Sequence, residues 1–451
     1  MIAAAVAAGH PATAAAGAEI LAEGGSAADA AVAGCLASCV AETIMTGLLG
    51  GGHAIYHDAP SGRTRNLDCF VSVPSGDGAP MEQLPVPFGE ELVHYAVGPS
   101  SCAVPGVAAG LEALWREHGR LPWDRLVEPA LRLARDGVRM PPAHAACLAM
   151  LAPVMTMHEG AAMYAPGGAL LREGDVLFQP GLVAALELIR DEGAVSCYTG
   201  TIARELLALV EARDGVLTAA DLEGYEALWS DPEEVGFAGR RVLTRGGLSG
   251  LPETLARFDP AGGADALLTA LGGDTPGAGH TTNITVVDSE GSACVLTTSL
   301  GLGSGDFVPG LDLHLNSMLG EVDLVREPLV PAARMESMMA PSAVFDADGL
   351  ELAIGAAGGT RLRTALVGVL AAVLHERLTP QQAIDRPRFH PVGEVVHAEP
   401  GVDEAWLASL ERAGRDVRRW PARHHYFGGV SGVGRDGAGA DPRRSGAVQR
   451  P

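Results

Sequence analysis

Runs of small apolar residues, punctuated by glycine and proline, set out the elements of the chain. The first eight positions are apolar and are broken by Gly9, His10 and Pro11, which predicts a first strand and a turn. An alanine-rich helix is predicted over 11–23, stopped by Gly24-Gly25. Ser26 caps a second helix over roughly 27–42. The glycine-rich stretch 46–53 predicts a hinge leading into a strand at 54–56, with a turn at 58–62 and a partner strand at 65–73. Helical patterning returns at 107–118, ending at Gly119, and again from Asp124 to Gly137. Thr218 and Asp221 have capping-box spacing. Residues 246–280, rich in Gly, Ala, Pro and Asp, predict a flexible, solvated connection.

Beyond it the pattern turns to β. Thr281 to Val287 is a β-branched strand, 288–291 supplies a turn and 293–300 returns, which predicts a hairpin. A strand at 350–355 leads through Gly358-Gly359 into an amphipathic helix reaching about Arg377. Thr379 and Gln382 then form a capping box with proline at the first helical position. Helices and strands mix without regular β-α-β alternation, which points to sheets covered by helices, not to a doubly wound sheet.

Composition narrows the chemistry. The 451 residues are 47% apolar but only 4% aromatic, with 59 glycines, so packing relies on small side chains. All 32 basic residues are arginine, which excludes lysine Schiff bases and Walker-type nucleotide sites. A net charge of −23 argues against nucleic acid and anionic membranes as partners. There is no run of about 18 apolar residues and no basic segment opening a signal peptide, so no membrane span and a cytoplasmic location are expected. The seven cysteines contain no Cys-x-x-Cys and read as buried reduced thiols.

Three candidates can carry chemistry, and a few other features are weaker. Thr281 follows the glycine-rich segment; if the backbone is cut after His280, its own α-amine, with a pKa of about 8, can act as base for its hydroxyl. A Thr-Thr pair also opens many ordinary strands. Ser299, at the far end of the return strand, is expected beside Thr281, either to orient its hydroxyl or simply as a polar strand end. Gly358 and Gly359 precede a helix, where unpaired N–H groups can hold an oxyanion, hold a phosphate or form only a tight turn. Gly301 to Gly305 is a second glycine loop, expected to be flexible. His424-His425 lacks metal-ligand spacing, and no metal or cofactor is expected. The Arg386–His390 and Asp441–Arg444 segments can hold a carboxylate through bidentate arginine, but surface ion pairs are the expected role.

Taken together the segments resemble the γ-glutamyltransferase family of N-terminal nucleophile hydrolases along essentially the whole chain. The resemblance rests on Gly24-Gly-Ser-Ala-Ala-Asp-Ala-Ala31, Gly50-Gly-Gly52, Val104-Pro-Gly-Val-Ala-Ala-Gly110, Pro129-Ala-Leu-Arg-Leu-Ala-Arg-Asp-Gly137, Thr281-Thr-Asn-Ile-Thr-Val-Val-Asp288, Gly355-Ala-Ala-Gly-Gly-Thr-Arg361 and Arg386-Pro-Arg-Phe-His390. It implies an α+β fold, a four-layer αββα sandwich. It also implies self-cleavage between His280 and Thr281 into regions 1–280 and 281–451 that stay associated. Thr281 would form the acyl-enzyme, Ser299 would take the place of the family's orienting threonine, and Gly358 and Gly359 would form the oxyanion hole. The substrate would be a small amide or acyl compound, a γ-glutamyl compound among the candidates, with water or an amine as acceptor.

The substrate side departs from the family pattern. Typical members hold the substrate carboxylate with an arginine where this chain has Phe70. Ser337-Met338 stands for a serine pair and Gly301 for an asparagine. The acidic pair is altered, leaving Glu321 or Asp323 to substitute. Two alternatives follow: a relative that cleaves a different C–N or C–C acyl bond, as in natural-product pathways, and an unprocessed, non-catalytic binding protein.

Overall fold

Two antiparallel sheets form the centre of the computed structural model, which describes residues 2–88, 91–272 and 280–451. The first has seven strands in the order Ala447–Gln449, Ala5–Ala8, His280–Val287, Ala293–Gly301, Gly51–Asp58, Arg63–Cys69 and Leu228–Ser230. The second has six: Gly437–Ala440, Gly429–Gly434, Gly349–Ala357, Ser342–Asp346, Arg240–Thr244 and Glu233–Phe237. The 281–300 hairpin is therefore central in its sheet, and its β-branched residues are buried on both faces.

The sheets face one another through small side chains. Ala5, Ala7, Val287, Ala293 and Val295 of the first pack on Ala353, Val433 and Ala440 of the second. The approach is close enough that a Cβ on Gly355 would lie 2.1 Å from Asn283 Oδ1. This is where the small-residue composition is used: larger side chains would push the sheets apart. The Pro11–Ala22 and Ala27–Ala41 helices cover the outer face of the first sheet. Ser26 and Asp29 form a reciprocal capping box at the start of the second of them. The Arg361–Leu374 helix packs on the second sheet. It is buried on nearly every side rather than amphipathic, and it ends three residues before Arg377. The fold is thus mixed α+β.

Two expectations need correction. The 246–280 stretch is not a solvated connection over its described part: it forms helices Leu251–Arg257 and Gly263–Leu271, with Leu251, Leu255, Leu268 and Leu271 buried. Residues 273–279 lie outside the described residues. Gly301–Gly305 is buried throughout, and Gly305 donates to His314 Nε2 at 3.0 Å. The seven cysteines are free and buried. Among the described residues no helix is long and apolar enough to cross a membrane.

Candidate active site

The His280–Val287 strand places Thr281 at a break in its ladder. Thr282 to Val287 pair in register with Thr298 to Ala293, but His280 lies opposite Gly301, so the register shifts between His280 and Thr282. The extra residue is on the return strand, where Ser299 and Leu300 stand opposite Thr281 alone; a bulge of this kind bends its strand and re-aims side chains at that point. The hairpin is fixed at its other end by Asp288, whose Oδ1 accepts from the N–H groups of Glu290 (2.9 Å) and Ser292 (3.0 Å). Its Oδ2 accepts from Ala27 N–H at 3.0 Å, which ties the turn to a helix start.

Thr281 is 5% exposed and opens onto a pocket of about 400 Å3 including its mouth. The pocket gathers Phe70, Thr281, Ser299, Glu321, Ser337, Met338 and Gly359, seven of the residues singled out from sequence. Ser299 Oγ accepts from Gly301 N–H at 2.8 Å, which fixes the serine at the end of its strand. Gly358 and Gly359 have φ of +130° and +56°, which L side chains rarely adopt. Only Gly359 reaches the pocket. A Cβ on Gly358 would lie 2.9 Å from Gly428 Cα and 3.4 Å from Arg444 Nη2, so no side chain fits there without displacement.

The substrate side is built unlike an arginine clamp. Phe70 is 1% exposed and stacks on the buried His53 ring at 5.5 Å. Its backbone is pinned: the N–H donates to Asp68 Oδ1 at 2.9 Å, and the carbonyl accepts from Tyr225 Oη at 2.5 Å and Arg334 Nη1 at 2.7 Å. Burial holds the His53 imidazole well below its ordinary pKa. Gly301 does not line the pocket directly. With φ +71°, it leaves room for Glu321: a Cβ there would lie 2.4 Å from Glu321 Oε1. The Glu321 carboxyl therefore fills the space that a side chain at 301 would take. Burial, assisted by repulsion from Asp323 and opposed by Arg361, raises its pKa to about 8. Among the described residues its Oε1 has no hydrogen-bond partner. Ser337 is held through its carbonyl, which accepts from Arg245 Nη1 at 2.8 Å.

Sequence reasoning missed several neighbours. Met318, Leu324, Met339, Thr360 and Leu362 line the pocket unannounced, beside Asp323, which the sequence offered as an alternative to Glu321. An adjoining open cleft shares Asp323, Met338, Gly359 and Thr360 with it. Behind Thr281 lies a small pocket lined by Glu42, His144 and Arg444; Glu42 and His144 stand far from Thr281 in sequence and carry no local motif.

The arginine segments were only partly read. Arg386 pairs with Glu376 at the surface, as expected. Arg388, Glu399, Asp441 and Arg443 instead form a buried network, with Arg388 Nη2 2.6 Å from Asp441 Oδ2 and Arg443 paired to both Glu399 and Asp441. Charges this deep persist only when each is paired. Among the described residues no group of three or more His, Cys, Asp or Glu is arranged to hold a metal ion.

The family model described as Gamma-glutamyltranspeptidase matches residues 13–256 and 260–450. The chain belongs to the gamma-glutamyltranspeptidase family, and is thus a γ-glutamyltransferase-like enzyme of the N-terminal nucleophile hydrolase class. It is 25% identical to glutathione hydrolase proenzyme 1 of Schizosaccharomyces pombe, over 91% of this chain and 78% of the relative. It is 28% identical to the acylase ACY 1 proenzyme of Pseudomonas sp. (strain V22), over 91% of this chain and 87% of the relative. Its fold matches the crystal structure of cephalosporin acylase from Bacillus halodurans with a TM-score of 0.82 and 22% identity, covering 100% of this chain and 96% of that one.

Proposed function

We propose that this chain is a self-processing amide hydrolase or acyltransferase whose nucleophile is Thr281. In the first step Thr281 Oγ attacks the carbonyl of His280, the peptide is exchanged for an ester, and water releases region 1–280. The freed α-amine of Thr281, with a pKa of about 8, then takes the hydroxyl proton as Oγ attacks the substrate acyl carbon. The oxyanion faces the Gly358-Gly359 turn, the leaving amine takes the proton, and water or an amine releases the acyl group.

The observation that carries this reading is the position of Thr281: at its strand start, opposite a bulge in the return strand, in one pocket with Ser299 and Gly359. Two helix-covered sheets packed on each other are read as the αββα sandwich of this enzyme class. Region 281–451 supplies the two central strands between strands of region 1–280 in the first sheet, and four strands beside two of region 1–280 in the second, which accounts for fragments that stay associated after cleavage.

The substrate reading follows from the walls. With Phe70 where a guanidinium would grip a carboxylate, a γ-glutamyl group loses a charge-assisted contact of about 1.5–3 kcal/mol. That favours an acyl group without a carboxylate at that end, and keeps open cleavage of an acyl bond other than a γ-glutamyl amide.

The test uses a small activated ester. The reading expects p-nitrophenyl acetate to leave one acetyl group on fragment 281–451, mapped to Thr281, and none on Thr281→Ala. Acetylation elsewhere, or equal labelling of the variant, would refute it. A panel of p-nitroanilides, γ-glutamyl included, then ranks acyl groups.

A further inference from the structure

One buried carboxylate takes no part in the steps above and yet touches the residue beside the nucleophile. Glu42 stands at the end of the Ala27–Ala41 helix and is 2% exposed. Its Oε1 accepts from Thr13 Oγ1 and its Oε2 from Thr282 Oγ1, each at 2.6 Å. The second bond joins residues 240 positions apart. Space has been left for it: a Cβ on Gly9 would lie 2.8 Å from Glu42 Oε2 and 2.9 Å from Thr282 Oγ1. Glu42, Thr281, Thr282 and Arg444 line the same small pocket. Burial pushes the Glu42 pKa upward, while the two hydroxyl donors and Arg444 oppose that.

The need for such a contact arises from the proposed cleavage. Before it, the strand is continuous and His280 is paired opposite Gly301. After it, Thr281 is a chain terminus at a break in the ladder, and termini fray unless tied down. The first regular pair beyond the break is Thr282 with Thr298. We propose that Glu42 is the positioning residue of the nucleophile, clamping the newly made chain end through Thr282 so that Thr281 keeps its aim at the acyl carbon. The proposal rests on the Thr281 reading and deepens it.

The test compares Thr282→Val, which keeps the shape and removes the hydroxyl, with Thr13→Val, which removes the other hydroxyl bond to the same carboxylate. Two rates are read on the full chain: self-cleavage by intact mass, and acetylation of the cleaved protein by p-nitrophenyl acetate. Because the clamp matters after the cut, Thr282→Val is expected to cleave within about 3-fold of wild type but to acetylate about 10- to 100-fold more slowly, the scale of a small misplacement of a reacting group. Thr13→Val is expected to stay within about 3-fold in both. Glu42→Ala is expected to fall with Thr282→Val, and Glu42→Gln, which can still bond both threonines, to recover most of the loss. Thr282→Val acetylating at the wild-type rate, or both threonine variants losing the same factor, would overturn the proposal and leave Glu42 as a structural tie. If Thr282→Val is not cleaved, the Glu42 pair decides: equal rates for Ala and Gln would overturn it. A wild-type chain that never cleaves would overturn the Thr281 reading and this proposal with it, whereas cleaved wild type with an indifferent Thr282→Val would overturn this proposal alone.

Discussion

Replacing Glu321 by glutamine should make the protein more stable, and only at high pH. The carboxyl is buried in the pocket with no partner for Oε1 among the described residues, and its pKa is raised from 4.5 to about 8, chiefly by burial. In the unfolded chain it ionises above its ordinary value; in the folded protein it keeps its proton to about pH 8. Over that window the folded state binds more protons, so stability falls as pH rises. Below the ordinary carboxyl range the penalty is absent, and above about pH 8 it is fully present. The full displacement corresponds to about 5 kcal/mol, an upper value because local relaxation lowers it. Glutamine has nearly the same size and no charge to lose. Urea unfolding of wild type and Glu321→Gln at pH 5 and pH 9 reads the difference. The two should agree within ~1 kcal/mol at pH 5, and the variant should be ahead by at least ~2 kcal/mol at pH 9. A variant less stable than wild type at pH 9, or an offset equal at both pH values, would refute the argument that Glu321 is held in its neutral form.

Two further substitutions probe the frame of the site. Gly301→Ala places a methyl 2.4 Å from Glu321 Oε1 on a backbone with φ +71°, and should cost about 1–3 kcal/mol in urea unfolding; a neutral result would mean that Glu321 moves aside freely. Arg443→Ala strips the buried Glu399 and Asp441 carboxylates of a partner and should cost about 3–5 kcal/mol by the same measurement, with no loss for the exposed Arg386→Ala beyond ~1 kcal/mol.

What was legible in the sequence was whatever local chemistry specifies. The 281–300 hairpin follows from a β-branched run, a polar turn and a second run. The reciprocal caps at Thr218 with Asp221 and Thr379 with Gln382 are short-range patterns, and both form. The helices in 246–272 were hidden because glycine, alanine and proline dominate the composition, while the four leucines that bury them are few and spaced. The gathering of Phe70, Glu321 and Ser337 around Thr281 came through resemblance, since nothing local relates position 70 to position 281. Features set by distant partners were out of reach. Arg388 and Asp441 are 53 positions apart, and Glu42 meets Thr282 across 240, so neither could be told from an ordinary surface charge until the fold joined them. Gly301 read as a lost side chain; the structure adds that Glu321 occupies the space.

The central claim is that the chain cuts itself to create the amine its nucleophile needs. Intact mass spectrometry of purified wild type and Thr281→Ala after prolonged incubation, with N-terminal sequencing of the smaller product, tests it most directly. The account predicts that wild type resolves into fragments of 280 and 171 residues, the smaller beginning Thr-Thr-Asn-Ile, and that Thr281→Ala stays whole. A wild-type chain that remains intact, or a variant cut at the same bond, would contradict it.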